Sequence, residues 1–141
     1  MIKELYDNML RPISADELAT KARATMRSRK VRLLPVVNEE NKLVGVIHRS
    51  TILGLTATRS TLLVRDIMSL PKVIAYLEDD AEQVTKRMLE VDEWYAPVVK
   101  SRTDMTYMGV FGLEHMIEEY LRRGGPKLEI KLEQIMKTDL V

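Results

Sequence analysis

Apolar residues recur along this chain in two rhythms. Leu18, Ala22 and Met26 stand at i, i+4 and i+8, the spacing of one helical stripe, with Ser14 or Asp16 upstream to cap it. Leu34-Pro35-Val36-Val37 and Leu43 to Ile47 are β-branched runs separated by the polar turn Asn38-Glu39-Glu40-Asn41-Lys42, a pattern that predicts a β-hairpin. The same signals then return. Ala81, Val84, Met88 and Val91 mark a second stripe, Ala96-Pro97-Val98-Val99 a second strand, and Gly109-Val110-Phe111 the partner that matches Gly45-Val46-Ile47. Leu34 to Val37 map onto Ala96 to Val99 with an offset of 62, and Ala22 and Met26 map onto Val84 and Met88 by the same offset. A closing helix follows each hairpin. It is marked by Met116, Ile117, Tyr120 and Leu121 in the second copy and shortened by Gly54 in the first.

An internal repeat decides architecture before any single residue does. Each copy is preceded by an opening signal, Leu5-Tyr6-Asp7-Asn8-Met9 and Val64-Arg65-Asp66-Ile67-Met68, and a third, Leu132-Glu133-Gln134-Ile135-Met136, stands near the end. Each unit reads β-α-β-β-α. A three-stranded unit of this size covers only one face of its sheet and is marginal alone, so the expectation is an α/β (α+β) fold with two units packed sheet to sheet as a pseudo-twofold pair. The expected division is 1–60 and 61–122, with 123–141 as a linker opening on Gly124-Gly125-Pro126 and the start of a third repeat, as in a piece of a longer protein.

Composition changes this picture little. The 141 residues are 45% hydrophobic and 30% charged, as in globular proteins, and no apolar run approaches the ~20 residues of a bilayer span. Met1 to Leu5 lacks the apolar block of a signal peptide, so a cytoplasmic protein is expected. The absence of cysteine excludes disulfides, thiolate metal sites and cysteine nucleophiles, and two histidines are too few for an imidazole cage. Net charge is +1; the basic stretch from Lys21 to Arg32 reads as a solvated helix face rather than a nucleic-acid surface, and Glu78 to Glu82 as carboxylates serving a helix start. The methionines fall mostly on apolar stripes and read as core. Without a nucleophile elbow or a Gly-rich phosphate loop, catalysis is not expected.

The ordered repetition of an Ile-Met opener, a Leu-Pro-Val-Val strand and a Gly-led closing strand resembles a tandem pair of cystathionine-β-synthase (CBS) domains, a Bateman module, over residues 1 to 122. The resemblance implies a non-catalytic regulatory module that needs no cofactor. Such a module binds an adenine nucleotide or other adenosyl ligand (AMP, ATP or S-adenosylmethionine) between its units, commonly dimerises, and acts on an effector domain or protein that this sequence does not identify. It assigns Ile13, Arg32, Leu34, His48, Arg49 and Thr51 to a ligand site in the first repeat, and Val73, Trp94, Tyr95, Gly112 and His115 to one in the second. Arg49, with Ser50 and Thr51, suits a phosphate, and the Trp94 or Tyr95 ring suits a base or, alternatively, a dimer surface. The family closes each unit with Thr/Ser-x-x-Asp, and this chain departs from it. His48 and Thr51 hold those positions in the first unit, Gly112 and His115 in the second. The ribose-binding carboxylate is thus missing twice, which leaves either a site retuned toward a more anionic ligand or a dimerisation and interaction scaffold without nucleotide. His48 and His115 could make binding pH-dependent. His115 with Glu118 or Glu119 is too small a set for a metal.

Overall fold

The computed structural model describes residues 1–55 and 61–123; the third opener and the Gly124-Gly125-Pro126 stop lie outside the described residues. After a 3-10 turn at Ile2–Glu4, the first unit runs β1 (Ile13–Ser14), α1 (Ala19–Arg29), β2 (Leu33–Val37), β3 (Leu43–His48) and α2 (Arg49–Leu53). The second runs α3 (Val64–Ile67), β4 (Ala75–Tyr76), α4 (Ala81–Glu90), β5 (Tyr95–Ser101), β6 (Asp104–Gly112) and α5 (Leu113–Arg123). Each unit has a three-stranded mixed sheet, ordered β1-β2-β3 and β4-β5-β6, in which the short first strand is parallel to the second and the hairpin is antiparallel. This is the β-α-β-β-α unit the periodicity predicts, twice.

The central strands are buried along Leu33–Val37 in β2 and at Ala96, Pro97, Val98 and Val99 in β5, which is why these stretches read as continuous apolar runs rather than alternating ones. One core gathers Ala22, Met26, Leu34, Val36, Ile47 and Ile52; the other gathers Val84, Met88, Ala96, Val98, Phe111 and Met116. Asp80 caps α4, its Oδ2 accepting the Gln83 N–H at 3.3 Å. The expected cap of α1 is not used: the helix begins at Ala19 with Leu18 before it and no side-chain cap. Ser14 Oγ instead accepts the Asp16 N–H at 3.1 Å in the preceding turn, and Leu18 is half exposed rather than part of the buried stripe. Helices α1 and α4 each turn back into the sheet through one left-handed residue, Lys30 (φ 54°) after α1 and Asp92 (φ 58°) after α4.

The openers cross over. Ile2 and Lys3 donate to Asp79 and Leu77 carbonyls of the second unit at 2.9 and 3.0 Å, and Asp7 forms an antiparallel bridge with Val110 of β6. Reciprocally, Val64 and Arg65 donate to Glu17 and Ala15 of the first unit at 2.8 and 3.0 Å, and Ser69 bridges Val46 of β3. Ile2 is therefore fully buried in the second core and Val64 in the first. These bonds equate Ile2 to Tyr6 with Val64 to Met68, three residues out of step with the alignment drawn from the opening signals. Close approach of the crossing segments requires Gly45 and Gly109. A Cβ on Gly45 would lie 2.7 Å from Met68 Sδ and 3.0 Å from the Ser69 carbonyl, and one on Gly109 would meet the Tyr6 ring at 2.8 Å.

A seam between the sheets completes the pair. Val37, Tyr107 and Val110 pack with Leu10 and Tyr95, and the Tyr107 hydroxyl donates to the Leu10 carbonyl at 2.7 Å. At the far end Lys42 Nζ donates to Asp104 Oδ1 at 2.7 Å and to Thr106 Oγ1 at 3.0 Å, tying one hairpin to the other.

Candidate functional site

The left-handed turns after α1 and α4 aim the residues before β2 and β5 at the boundary between units. In the register of the two hairpins Leu33 pairs with His48 and Tyr95 with Gly112, so Val31-Arg32-Leu33 is the counterpart of Glu93-Trp94-Tyr95, and His48 of Gly112. Arg32 and Trp94 meet near the pseudo-twofold axis, the guanidinium carbon 6.0 Å from the indole centroid. Main-chain bonds fix the strand entries to the helix starts: Arg49 N–H donates to the Arg32 carbonyl at 2.9 Å, and Leu113 N–H to the Trp94 carbonyl at 3.1 Å.

On one side of this axis lies a cleft of about 170 Å³ with walls from both units. Lys30, Val31, Arg32 and Leu33 face Tyr95, Val110, Glu114 and His115, and Asp7 and Leu10 close it below. Its chemistry is divided. Val31, Leu33, Leu10, Val110 and the Tyr95 ring offer apolar surface for a flat group, Lys30 and Arg32 offer positive charge, and Asp7 and Glu114 offer carboxylates. Burial raises the Tyr95 hydroxyl above its usual range, helped by the nearby Glu114 charge and opposed by Arg32, so both charged groups act on the same phenol. His115 caps the start of α5: its Nδ1 accepts the Gly112 N–H at 2.9 Å, and the neutral ring therefore carries its proton on Nε2. The ring also stacks on Phe111, with centroids 6.2 Å apart. The Glu114 carboxylate folds back over Gly112, within 2.6 Å of where a Cβ would stand.

The pseudo-equivalent boundary on the other side is built differently. His48 Nε2 and Glu93 Oε1 approach to 3.0 Å across the units, with Glu93 only 12% exposed. Outside this pair lies a broad, shallow depression lined by Arg32, His48, Arg49, Ser50 and Leu53, a set with two arginines and no carboxylate.

The expected site residues thus distribute across units rather than within them. Arg32, Tyr95 and His115 come together in the divided cleft, while Arg32 also joins His48 and Arg49 in the depression. Leu34 is fully buried in the first core and presents no side chain to either. Ile13 and Val73 are nearly buried and line separate grooves beside α1 and α4. Thr51 lies within α2, and Trp94 is more than half exposed beside Arg32. Sequence reasoning passed over Lys30, Asp7, Val110, Glu114 and Glu93. Glu114 carried a signal, a carboxylate one position before the expected one in the first turn of a helix; Glu93, Lys30 and Asp7 carried none, because their roles depend on the partner unit.

Among the described residues no group of three or more His, Asp or Glu could hold a metal ion, and no helix is long and apolar enough to cross a membrane.

Residues 2–57 match the family profile of the CBS domain. No curated protein matches the chain. Solved structures do. The CBS domains of a transcriptional regulator from Streptococcus pneumoniae are 20% identical, with 83% of this chain and 96% of that one covered and a TM-score of 0.73. CBSX2, solved in complex with AMP, is 18% identical over 86% of this chain and 96% of its own, with a TM-score of 0.74. A CBS domain pair solved with 5′-methylthioadenosine and S-adenosyl-L-methionine is 20% identical over 88% and 98%, with a TM-score of 0.70.

Proposed function

From a chain that has the fold of a CBS domain pair, with its first unit matched by the CBS profile, we propose a non-catalytic regulatory module that binds a nucleoside monophosphate of the AMP type in the cleft between Arg32 and His115. The observation that carries this is the division of that cleft: apolar side chains beside Tyr95 for the base, Glu114 to accept from ribose hydroxyls, and Lys30 with Arg32 to meet a phosphate. Glu114 stands in for the aspartate missing from the motif. Two cations on one wall favour a phosphate over the sulfonium of S-adenosylmethionine.

The size of the cleft supplies the mechanism. Ligand pockets usually measure about 300 Å³ or more, and this one measures about 170 Å³. Its walls belong to different units, so a nucleotide enters by moving them apart. Ligand then binds the opened arrangement better than the closed one and shifts the angle between units by that differential affinity, which an effector domain or partner protein would read. The module also dimerises in this reading. Ile117 and Leu121, one turn apart on α5, are 43% and 57% exposed and give an apolar stripe for a second copy.

That stripe supports the alternative, a scaffold that dimerises or docks a protein without nucleotide. Isothermal titration with AMP, ATP and S-adenosylmethionine separates the readings. Micromolar AMP binding, weakened about tenfold or more by Arg32→Ala and by Glu114→Gln, is expected, since one hydrogen bond to a charged group contributes about 1.5–3 kcal/mol. No heat with any ligand overturns the sensor reading and leaves the scaffold.

A further inference from the structure

The two boundaries of the pair are equivalent by pseudo-symmetry and unequal in content. In the open cleft the strand entry contributes Val31, and Gly112 ends β6 beside it; at the opposite boundary Glu93 and His48 hold those positions. The substitution of a small apolar pair by a carboxylate and an imidazole changes what the boundary can do. Val31 and Gly112 carry no group that bonds across the boundary, and the Glu114 carboxylate lies over Gly112, whereas Glu93 and His48 reach across it and bond at 3.0 Å.

The backbone holds both groups in place. Glu93 follows the left-handed Asp92 and its N–H donates to the Met88 carbonyl at 2.8 Å, which fixes its position at the end of α4. His48 ends β3, paired with Leu33, and precedes α2, whose first N–H is tied to Arg32. Glu93 is 12% exposed and His48 27%, so the bond lies largely out of water, where removing either partner leaves the other costly to bury. Arg32 and Arg49 flank the pair through the outer depression, and the Trp94 ring lies beside Arg32.

We infer that the Glu93–His48 pair is a plug. It occupies the second of two potential nucleotide clefts, so that each chain binds a single ligand between Arg32 and His115, and it pins the units at one boundary while the other opens. Ligand entry then swings the units about the plugged side. This rests on the nucleotide-binding reading above, and the test separates the two.

The plug is removed by giving the closed boundary the residues of the open one, Glu93→Val with His48→Gly. In titrations with AMP the wild-type chain is expected to bind about one ligand and the double variant about two, the second site being weaker for want of a carboxylate at Ser50, the counterpart of Glu114. Two ligands on the wild-type chain, or one on a double variant that still melts cooperatively, overturn the plug but leave the nucleotide reading intact. A readout without ligand uses the absence of native cysteine. Thr51→Cys, at the counterpart of His115, is expected to react with a thiol reagent about tenfold faster in the double variant than in the wild-type background, as a boundary opens. Equal rates overturn the plug even if AMP binds nowhere.

Discussion

Ile2 lies 11 residues before the first strand of its own unit, yet it is fully buried in the core of the second. Replacing it with alanine removes three carbons. At ~0.8 kcal/mol for each buried group the transfer cost is about 2.4 kcal/mol, and the cavity left among Val73, Ala75, Val84 and Met88 brings the expected loss to about 3 kcal/mol. With a urea m-value of about 2 kcal/mol/M the unfolding midpoint falls by about 1.5 M. Met9→Ala is the control, since that side chain is 81% exposed and its loss should change stability by less than about 0.5 kcal/mol. The crossing also predicts where the damage appears. Hydrogen exchange should accelerate in β5 and β6 of the second unit before β2 and β3 of the first, although Ile2 is nearer the first in sequence. An Ile2→Ala midpoint within about 0.3 M of wild type, or exchange that rises first in the first unit, refutes the exchanged arrangement.

Further outcomes follow from the seam and the crossings. Asp104 accepts bonds from Lys42 and from the Thr106 hydroxyl and N–H, which hold its carboxyl well below the ordinary 3.8. Because the folded value is depressed, the stabilisation is present above pH 3.8 and lost as pH falls below it; acid unfolding curves of wild type and Lys42→Met should differ at neutral pH and converge in acid. Burial raises the Tyr107 hydroxyl above its ordinary 10.0, with Asp7 adding to it, and burial followed by the Glu82 bond does the same for Tyr120. The neutral phenols stabilise the fold fully below pH 10 and progressively less above it, so stability should fall in alkali and spectroscopic titration should show three late tyrosines, Tyr95 among them. Tyr107→Phe, which leaves the Leu10 carbonyl without its 2.7 Å donor, should cost about 0.5–1.5 kcal/mol in denaturant melts. Gly45→Ala should cost about 1–3 kcal/mol, because the new Cβ meets Met68 and the Ser69 carbonyl.

Much of the fold was legible because its signals are local and occur twice. Leu34-Pro35-Val36-Val37 and Ala96-Pro97-Val98-Val99 are the central strands, the Asn38–Lys42 turn joins a hairpin, and Gly54 ends α2. The start of α1 is not legible, because Ser14 bonds within its own turn and leaves Leu18 at the helix boundary without a side-chain cap. The openers align three residues out of step in the sequence because their resemblance rests on an Asp and a Met, whereas their equivalence is set by backbone bonds to the other unit. The candidate site was legible residue by residue and not as an assembly. Arg32, Tyr95 and His115 were picked out, but only tertiary structure brings them to one cleft with Lys30 and Glu114. Glu93 could not have been paired with His48, 45 positions away, since nothing in either neighbourhood marks the bond.

The crossing of the openers also has a consequence during synthesis. Asp7 completes its bridge only with Val110, so once made it must wait for about 100 further residues before its docking strand exists. At translation speeds of roughly 5 to 20 residues per second, that wait is about 5 to 20 s. In the later part of that interval the nascent first unit has Val64 and Ser69 available to close its own sheet while Ile2 trails with its apolar side chain unburied. The opener of the first unit is thus made before the second unit and finds its place only after it.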